Sequence, residues 1–113
     1  MKSMKISQSI LIVDDEELFC TIFRRLLEHE GYIVSCCNNP SDAILLSQKR
    51  KFDIIVTDYN MPEMNGDDLA RLMRYRFSDS YIVGLSCETR ESEFLEAGAD
   101  AFFEKPIDYR NLL

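Results

Sequence analysis

The chain has 113 residues, of which 46% are hydrophobic and 29% are charged, and its formal net charge is −7. This length and composition indicate one soluble globular domain with a single core and exclude a disordered chain. The acidic balance disfavours nonspecific nucleic-acid binding, which depends on clustered Lys and Arg. No apolar run is long enough to cross a bilayer, and nothing near the start resembles a secretion signal. We therefore expect a cytoplasmic protein that contacts neither nucleic acid directly nor membranes.

Short apolar runs alternate with helical patterns in the order β α β α β α β α β, which indicates crossover units and a parallel sheet. The first run, residues 10–13, precedes apolar positions at helical spacing over residues 18–27. Gly31 is expected to end that helix. A second strand is predicted at residues 32–34, and a second helix begins at Asn39-Pro40, with Pro in its first turn.

The second half of the chain continues the alternation. Its predicted elements are strands at 54–57, 81–85 and 101–103, helices at 67–76 and 90–97, and the start of a last helix at 108. Only eleven residues separate Ser86 from Gly98, so we expect a short fourth helix. The last helix has at most two turns within the chain, which is short for independent stability.

The cysteines and the single histidine carry little functional signal. Cys36 and Cys37 are neighbours, whereas Cys20 and Cys87 stand alone, and this spacing fits neither a zinc site nor a disulfide framework. We expect reduced, mostly buried thiols. His29 lies near a helix end with no residue placed to pair with it, so we expect no catalytic or metal role for it.

Polar residues follow the predicted strands at their carboxyl ends. Asp14, Asp58, Ser86 and Lys105 each follow an apolar strand at its carboxyl end, and Asp15 follows Asp14. Parallel strands bring these ends to one edge of the sheet, which is where open α/β sheets bind their ligands. We therefore expect these side chains to meet.

The predicted cluster suits phosphoryl chemistry. Carboxylates in one crevice raise each other's pKa unless a cation intervenes. Oxygen ligands of this kind suit Mg²⁺, which also binds substrate phosphate. Lys105 can neutralise phosphoryl oxygens, and the Ser86 hydroxyl can donate a hydrogen bond to the same group. The sequence therefore predicts that Asp58 accepts a phosphoryl group.

The combined motifs resemble the receiver domain of two-component response regulators. The resemblance rests on Asp14-Asp15, on Asp58 with Met61-Pro62 and Gly66, on Ser86, and on Lys105-Pro106, and it covers nearly the whole chain. It implies an α/β, flavodoxin-like, doubly wound five-stranded parallel sheet of order 2-1-3-4-5 with helices on both faces and a shortened fourth helix. One receiver domain would then span residues 1–113.

The same resemblance implies a function. A histidine kinase or a histidine phosphotransfer protein would transfer a phosphoryl group to Asp58 in a Mg²⁺-dependent reaction, and the domain would then signal to an unknown downstream protein. The implied metal ligands are Asp15 directly, Asp14 through water, Asp58, and the backbone carbonyl of Asn60. The domain would not be an enzyme beyond phosphorylation and dephosphorylation of its own aspartate.

Further roles also follow from the resemblance. Ser86 would contact the phosphoryl group, Lys105 would stabilise its charge, and Phe102 would be the aromatic switch that repacks on activation. Asn60 and Glu88 would border the path of the hydrolytic water and so tune the lifetime of the phosphoryl group. The bond between Lys105 and Pro106 is expected to be cis.

Three departures from the family pattern concern the switch and access to the site. Ser86 replaces the commoner threonine and has a freer rotamer. Phe102 cannot hydrogen-bond as a tyrosine does, so its switch must work by packing. Cys87 stands where smaller residues let phosphate approach, so its thiol is expected to narrow access.

Simpler interpretations and two other functions stay open at this stage. The acids at 14–17 could only cap a helix, and Lys105 could be a solvated surface lysine. A pseudo-receiver would bind partners without phosphorylation. An aspartyl-phosphate phosphohydrolase is a more distant alternative, because it needs a general acid where this chain has Asn60, and 113 residues leave no room for a cap domain.

Overall fold

The computed structural model of the protein describes residues 8–112. The strands are β1 (Ser9–Val13), β2 (Ile33–Cys37), β3 (Ile54–Asp58), β4 (Tyr81–Ser86) and β5 (Ala101–Glu104). The helices are α1 (Glu17–His29), α2 (Pro40–Lys49), α3 (Gly66–Arg76) and α4 (Glu91–Glu96), followed by a 3₁₀ turn at Tyr109–Leu112. The expectation about a secretion signal concerns the start of the chain, and residues 1–7 lie outside the described range.

The five strands form one parallel sheet in the order β2-β1-β3-β4-β5, which confirms the predicted topology. β1 pairs with β3 so that Val13 lies beside Thr57. The next residues along the two segments, Asp14 and Asp58, therefore lie at the same level of the sheet's carboxyl edge. Among residues 8–112, no helix is both long and apolar enough to span a membrane.

The sheet is buried on both faces, and each face has its own core. Residues of α1 and the 3₁₀ turn pack on one face, against alternate strand residues such as Ile10, Ile12 and Val56. Residues of α2, α3 and α4 pack on the other face, against intervening residues such as Leu11 and Ile55. Burial on both faces explains why the central strands are continuous apolar runs. The prediction of helices on both faces is confirmed.

Two elements differ from the prediction by more than one residue at an end or in type. β2 extends to Cys37 instead of ending at Val34, because it pairs with β1 along its full length, from Ser9 beside Ile33 to Val13 beside Cys37. The last segment forms a 3₁₀ turn rather than an α-helix. The predicted shortness of α4 is confirmed, since it has six residues.

The cysteines differ in exposure, and all four are free thiols. Cys20 and Cys37 are buried, whereas Cys36 is half-buried and Cys87 is exposed. The expectation of mostly buried thiols therefore holds for two of the four. The exposure of Cys36 and Cys87 was not predicted, because the predicted second strand ended before Cys36 and because Cys87 lies just beyond the end of β4.

Candidate functional site

The structure brings the predicted site residues together at the carboxyl edge of the sheet. Asp58 and Ser86 are the last residues of β3 and β4, while Asp14 and Lys105 directly follow β1 and β5. Lys105 Nζ lies 2.6 Å from Asp14 Oδ2 and 3.3 Å from Asp58 Oδ1. It also lies 3.3 Å from Glu16 Oε1. The interpretation of Lys105 as a solvated surface lysine is wrong, because only 8% of its side chain is exposed.

Burial and neighbouring charges shift the pKa values of Asp14, Asp58 and Lys105. Burial, reinforced by the negative charge of Asp14, raises the pKa of Asp58 to about 6. Burial likewise raises the pKa of Asp14, although its hydrogen bond with Lys105 partly offsets this. Burial by itself lowers the pKa of Lys105, but the hydrogen bond and charge of Asp14 outweigh it, so the lysine pKa is raised. The site holds more negative charge than Lys105 alone neutralises.

The acidic residues fit a hard divalent cation. Asp14, Asp15 and Asp58 each offer a carboxylate oxygen, and these oxygens lie within 4.8 Å of one another. Asp14 and Asp58 are buried, whereas Asp15 is exposed. Carboxylates that are partly open to water match the preference of Mg²⁺, which retains several waters. Asn60 begins the exposed loop after β3, and the role of its carbonyl stays a prediction.

Asp14 is held in place by hydrogen bonds to its main chain and its carboxylate. Its N–H donates to the Cys37 carbonyl at 3.1 Å, and its own carbonyl accepts from Asn38 Nδ2 at 2.9 Å. Its Oδ1 accepts from the Glu16 N–H at 2.9 Å, which leaves Oδ2 to meet Lys105. The N-cap of α1 is Glu16, and its side chain makes no capping bond. Glu17 lies in the first turn of α1 and complements the helix dipole, but the Asp14 carboxylate also meets Lys105, so a role at the helix start alone does not account for it.

The loop after Asp58 returns tightly against the end of β3. The Gly66 N–H donates to the Tyr59 carbonyl at 2.7 Å. A Cβ at position 66 would lie 1.9 Å from the main-chain oxygen of Asp58. Only glycine permits this approach, which gives a physical reason for the Gly66 in the sequence motif.

Ser86 is fully buried at the end of β4. Its Oγ accepts from the Glu88 N–H at 3.0 Å, so the hydroxyl proton stays available for donation. The Lys105 N–H donates to the Ser86 carbonyl at 2.8 Å and ties the ends of β4 and β5 together. The predicted cis bond between Lys105 and Pro106 is present. Glu88 itself is exposed and pairs with Arg90 at 3.1 Å.

An aromatic cluster beside the site was not anticipated from the sequence. The buried ring of Phe94, from α4, lies 5.8 Å from the half-buried Phe102 ring and 6.0 Å edge-on from the Tyr59 ring, centroid to centroid. The guanidinium carbon of Arg90 lies 4.4 Å from the centroid of the Tyr59 ring. Phe94 packs directly on Gly84, where a Cβ would lie 2.3 Å from its ring. A glycine within an apolar strand was the available signal for such a close approach.

An open apolar groove lies next to Lys105. It has a volume of about 600 Å³ and is lined by Phe19, Ile22, Leu26, Cys87, Pro106, Ile107 and Tyr109, among others. Lys105 Nζ lies 4.5 Å from the centroid of the Phe19 ring, and Lys105 itself lines the groove. His29, in contrast, is the exposed last residue of α1.

The chain matches proteins of two-component signalling. The family described as the response regulator receiver domain matches residues 10–113. The response regulator SaeR of Staphylococcus aureus is 36% identical over 107 residues, which cover 92% of this chain and 46% of SaeR. The Arabidopsis thaliana protein ARR21 is also 36% identical, over 88% of this chain and 17% of ARR21. The chain thus spans less than half the length of these relatives.

Solved structures agree with this match. The chemotaxis protein CheY4 of Vibrio cholerae has a TM-score of 0.88 at 28% identity, covering 95% of this chain and 93% of CheY4. A Burkholderia pseudomallei response regulator, solved with a phosphorylated aspartic acid, a calcium ion and citrate, has a TM-score of 0.89 at 26% identity, covering 94% of this chain and 64% of that protein.

The parallel sheet, its strand order and these matches place the protein in the class of two-component signalling proteins with a flavodoxin-like fold. Within that class, the chain belongs to the response regulator receiver domain family.

Proposed function

We propose that Asp58 accepts a phosphoryl group from a histidine kinase or a histidine phosphotransfer protein in a Mg²⁺-dependent reaction, and that residues 1–113 act as one receiver domain. The observation that carries this proposal is the position of Lys105, whose ammonium group lies between the Asp14 and Asp58 carboxylates at the carboxyl edge of the sheet. The Asp58 carboxylate, which is the potential nucleophile, therefore has the positive charge of Lys105 and the negative charge of Asp14 close to it.

In the proposed reaction, a carboxylate oxygen of Asp58 attacks the phosphorus in line. An oxygen–phosphorus bond forms while the bond from phosphorus to the donor imidazole nitrogen breaks. Lys105 already contacts Asp58 Oδ1 at 3.3 Å, so it can follow the transferred oxygens with little movement. Fixed positive charge at the reacting group is the main contribution that a protein makes to phosphoryl transfer.

The residues proposed to hold Mg²⁺ are Asp14, Asp15, Asp58 and the backbone carbonyl of Asn60. Bound Mg²⁺ would neutralise charge on the carboxylates and on the phosphoryl oxygens. Support comes from the three carboxylate oxygens within 4.8 Å of one another, and from the calcium ion and phosphorylated aspartic acid in the Burkholderia pseudomallei response regulator.

The proposed switch uses Ser86 and Phe102. Ser86 Oγ already accepts the Glu88 N–H, so its proton can be donated to a phosphoryl oxygen. That contact would pull on the β4–α4 connection, which carries Glu88 and Arg90. Phe102 would then repack against its neighbour Phe94, and the protein-binding surface near α4 would change. We also propose that Asn60 and Glu88, which are both exposed, tune the lifetime of the phosphoryl group.

The proposed partners are proteins. The donor must bring a phosphohistidine to Asp58, and the apolar groove beside Lys105 offers it a contact surface next to the acceptor. The downstream partner is an unknown protein. We propose a cytoplasmic location, because histidine kinases present their phosphohistidine to a soluble receiver.

A pseudo-receiver scaffold is the second candidate function, and the six-residue α4 is the observation that favours it, because an altered α4 surface suggests an unusual output. A phosphohydrolase is a weaker candidate, since Asn60 stands where a general acid is needed. A pseudo-receiver does not explain why Lys105 is buried between two carboxylates as directly as phosphoryl acceptance does.

The test is to incubate the protein with Mg²⁺ and acetyl phosphate and to measure its intact mass. We expect one added phosphoryl group on the parent protein and on Asp68→Asn, an exposed acid of α3, but none on Asp58→Asn. Removing the metal with a chelator should abolish the adduct. No adduct on the parent protein would instead support the pseudo-receiver, and steady turnover of a phosphomonoester would support the phosphohydrolase.

A further inference from the structure

Two thiols from different elements meet on the α1 face of the sheet. The Cys36 thiol of β2 donates to the Cys20 carbonyl of α1, with 3.6 Å between sulfur and oxygen. Both residues also line the same surface cavity. The other two cysteines are placed differently, because Cys37 lies in the core on the opposite face and Cys87 lines the groove beside Lys105. Cys20 and Cys36 are therefore a specific pair.

The pair is open to small solutes from one side. A surface cavity of about 250 Å³ is lined by Cys20 and Cys36 together with Glu17, Thr21, Arg24 and Asn38. Cys36 is half-buried, whereas Cys20 is only 3% exposed. A solute in this cavity meets Cys36 first, with Cys20 behind it.

The surroundings of Cys36 favour its reaction with an oxidant. The adjacent Cys20 side chain and the positive charge of Arg24 lower the pKa of the Cys36 thiol, and they outweigh burial and the charge of Glu28. The pKa of the Cys20 thiol is raised by Cys36 and by burial, so Cys36 is the cysteine of the pair that ionises first. A thiolate is the reactive form of cysteine. A second thiol next to it can then complete a disulfide.

We propose that Cys20 and Cys36 form a redox modification site, which a small peroxide converts to an intramolecular disulfide. The Cys36 sulfur attacks one peroxide oxygen, the O–O bond breaks, and a sulfenic acid and one water form. The Cys20 sulfur then attacks the Cys36 sulfur and displaces the hydroxyl group as a second water. Two thiols and one hydrogen peroxide thus give one disulfide and two waters, so both sulfurs are oxidised and the peroxide is reduced.

The modification would act on the metal site through Asp14. The Cys20 thiol donates to the Asp14 carbonyl at 3.5 Å, and Asn38 Nδ2 contacts both that carbonyl, at 2.9 Å, and the Cys20 sulfur, at 3.6 Å. A disulfide removes the S–H donor and draws the Cys20 sulfur towards Cys36. Asp14 and its neighbour Asp15 lose one of the contacts that position them, so the oxidised protein binds Mg²⁺ more weakly. This last step rests on the proposed function.

The first experiment tests the modification site on the whole chain, without using phosphorylation. Fully reduced protein is treated with hydrogen peroxide, denatured, alkylated and analysed by intact mass and peptide mapping. We expect two alkylated cysteines instead of the four free in the structure, loss of two hydrogens, and a Cys20–Cys36 crosslink. Cys36→Ser and Cys20→Ser should each lose the crosslink, and Cys87→Ser should keep it. Four alkylated thiols, oxygen addition without a crosslink, or a crosslink through Cys87 would each overturn the proposal.

The second experiment tests the link to the metal site by measuring acetyl phosphate labelling as a function of Mg²⁺ concentration. Oxidation should raise the half-saturating Mg²⁺ concentration by about tenfold, as loss of a group that orients a metal ligand does, and Cys36→Ser should show no change after the same treatment. An unchanged Mg²⁺ requirement in crosslinked protein would remove the link to Asp14. Absence of labelling in every form would contradict the proposed function, while the crosslink result would stand by itself.

Discussion

Lys105 Nζ lies 2.6 Å from Asp14 Oδ2 and 3.3 Å from Asp58 Oδ1, so one ammonium group bridges two buried carboxylates that come from different strands. The bridge links residues 91 positions apart in the chain. Buried charges are tolerated only when they are paired, and removal of one partner leaves an uncompensated charge. The bridge therefore bears on both stability and the proposed chemistry.

The first prediction concerns the charge of Lys105. Lys105→Met should slow acetyl phosphate labelling of Asp58 by about 100-fold at saturating Mg²⁺, because removing one group that stabilises transition-state charge typically costs that much. Initial labelling rates by intact mass measure this. Lys49→Met, at an exposed position at the end of α2, should label like the parent protein. A rate within twofold of the parent for Lys105→Met would remove the lysine from its proposed role.

The second prediction concerns stability and pH in the absence of metal. The pKa of Asp58 is raised to about 6 from its ordinary value of 3.8, so the folded state binds this proton more tightly than the unfolded state does. The stabilisation is present below the unfolded pKa and is lost as pH rises through about 6. The free energy of unfolding contributed by Asp58 should therefore fall by about 1–3 kcal/mol between pH 4 and pH 7.5.

Denaturant unfolding of the parent protein and of Asp58→Asn, in chelator, separates this contribution from the rest of the chain. Asp58→Asn should be more stable than the parent at pH 7.5, and the difference should shrink at pH 5. Glu96→Gln, at an exposed position in α4, should follow the parent at both pH values. An Asp58→Asn variant less stable than the parent at pH 7.5 would contradict the prediction.

The third prediction concerns the loop that returns to Asp58. Gly66→Ala forces a methyl group to within 1.9 Å of the Asp58 main-chain oxygen unless the backbone moves. We expect slower phosphoryl labelling together with a loss of stability of about 1–3 kcal/mol, since the variant must shift either β3 or the start of α3. Labelling rate and denaturant midpoint are measured on the same preparation, and parent-like values for both would show that the loop relaxes freely.

Gly31→Ala provides the comparison for that variant. Its Cβ would meet nothing within 4 Å, but its φ of +103° strains any other residue. It should lose stability and keep the labelling rate of the parent protein once folded, because it distorts the turn after α1 rather than the acceptor loop.

The fourth prediction concerns Phe94 and the surface of β4. Gly84→Ala should destabilise the protein by about 1–3 kcal/mol, because the new methyl group overlaps the Phe94 ring. Phe94→Leu removes most of that overlap, so the double variant should be more stable than the sum of the two single changes predicts. A double-mutant cycle by denaturant unfolding gives the coupling, which we expect to exceed about 0.5 kcal/mol for residues in direct contact. If the two substitutions changed the free energy of unfolding additively, the steric overlap between position 84 and the Phe94 ring would be contradicted.

Much of the site could be predicted from local patterns. Apolar runs gave the strand positions, and parallel pairing requires Asp14, Asp58, Ser86 and Lys105 to reach the same edge once those strands form. The strand order, helices on both faces and a short fourth helix were likewise predicted and confirmed. The roles of these residues in phosphoryl transfer remain predictions until labelling tests them.

Other features depend on contacts between distant parts of the chain. Periodicity marks which face of an element is apolar, but it does not say which side chains meet across two elements. The packing of the Phe94 ring on Gly84 is one such contact between elements. The contact between Cys20 and Cys36 is another, and it requires β2 to continue past Val34. The last segment also differed, since residues Tyr109–Leu112 formed a 3₁₀ turn rather than an α-helix.

The sequence by itself determined a parallel sheet and the residue types at its carboxyl edge, because strand and helix patterns are local and parallel connections follow few rules. The strand order came from the resemblance of its motifs to receiver domains. Only the tertiary structure decided that Lys105 is buried between Asp14 and Asp58, that the Asp58 pKa is raised to about 6, and that Cys20 and Cys36 line one surface cavity. Burial, distance and charge at one point in space arise from the packing of segments far apart in the chain. No local pattern contains them.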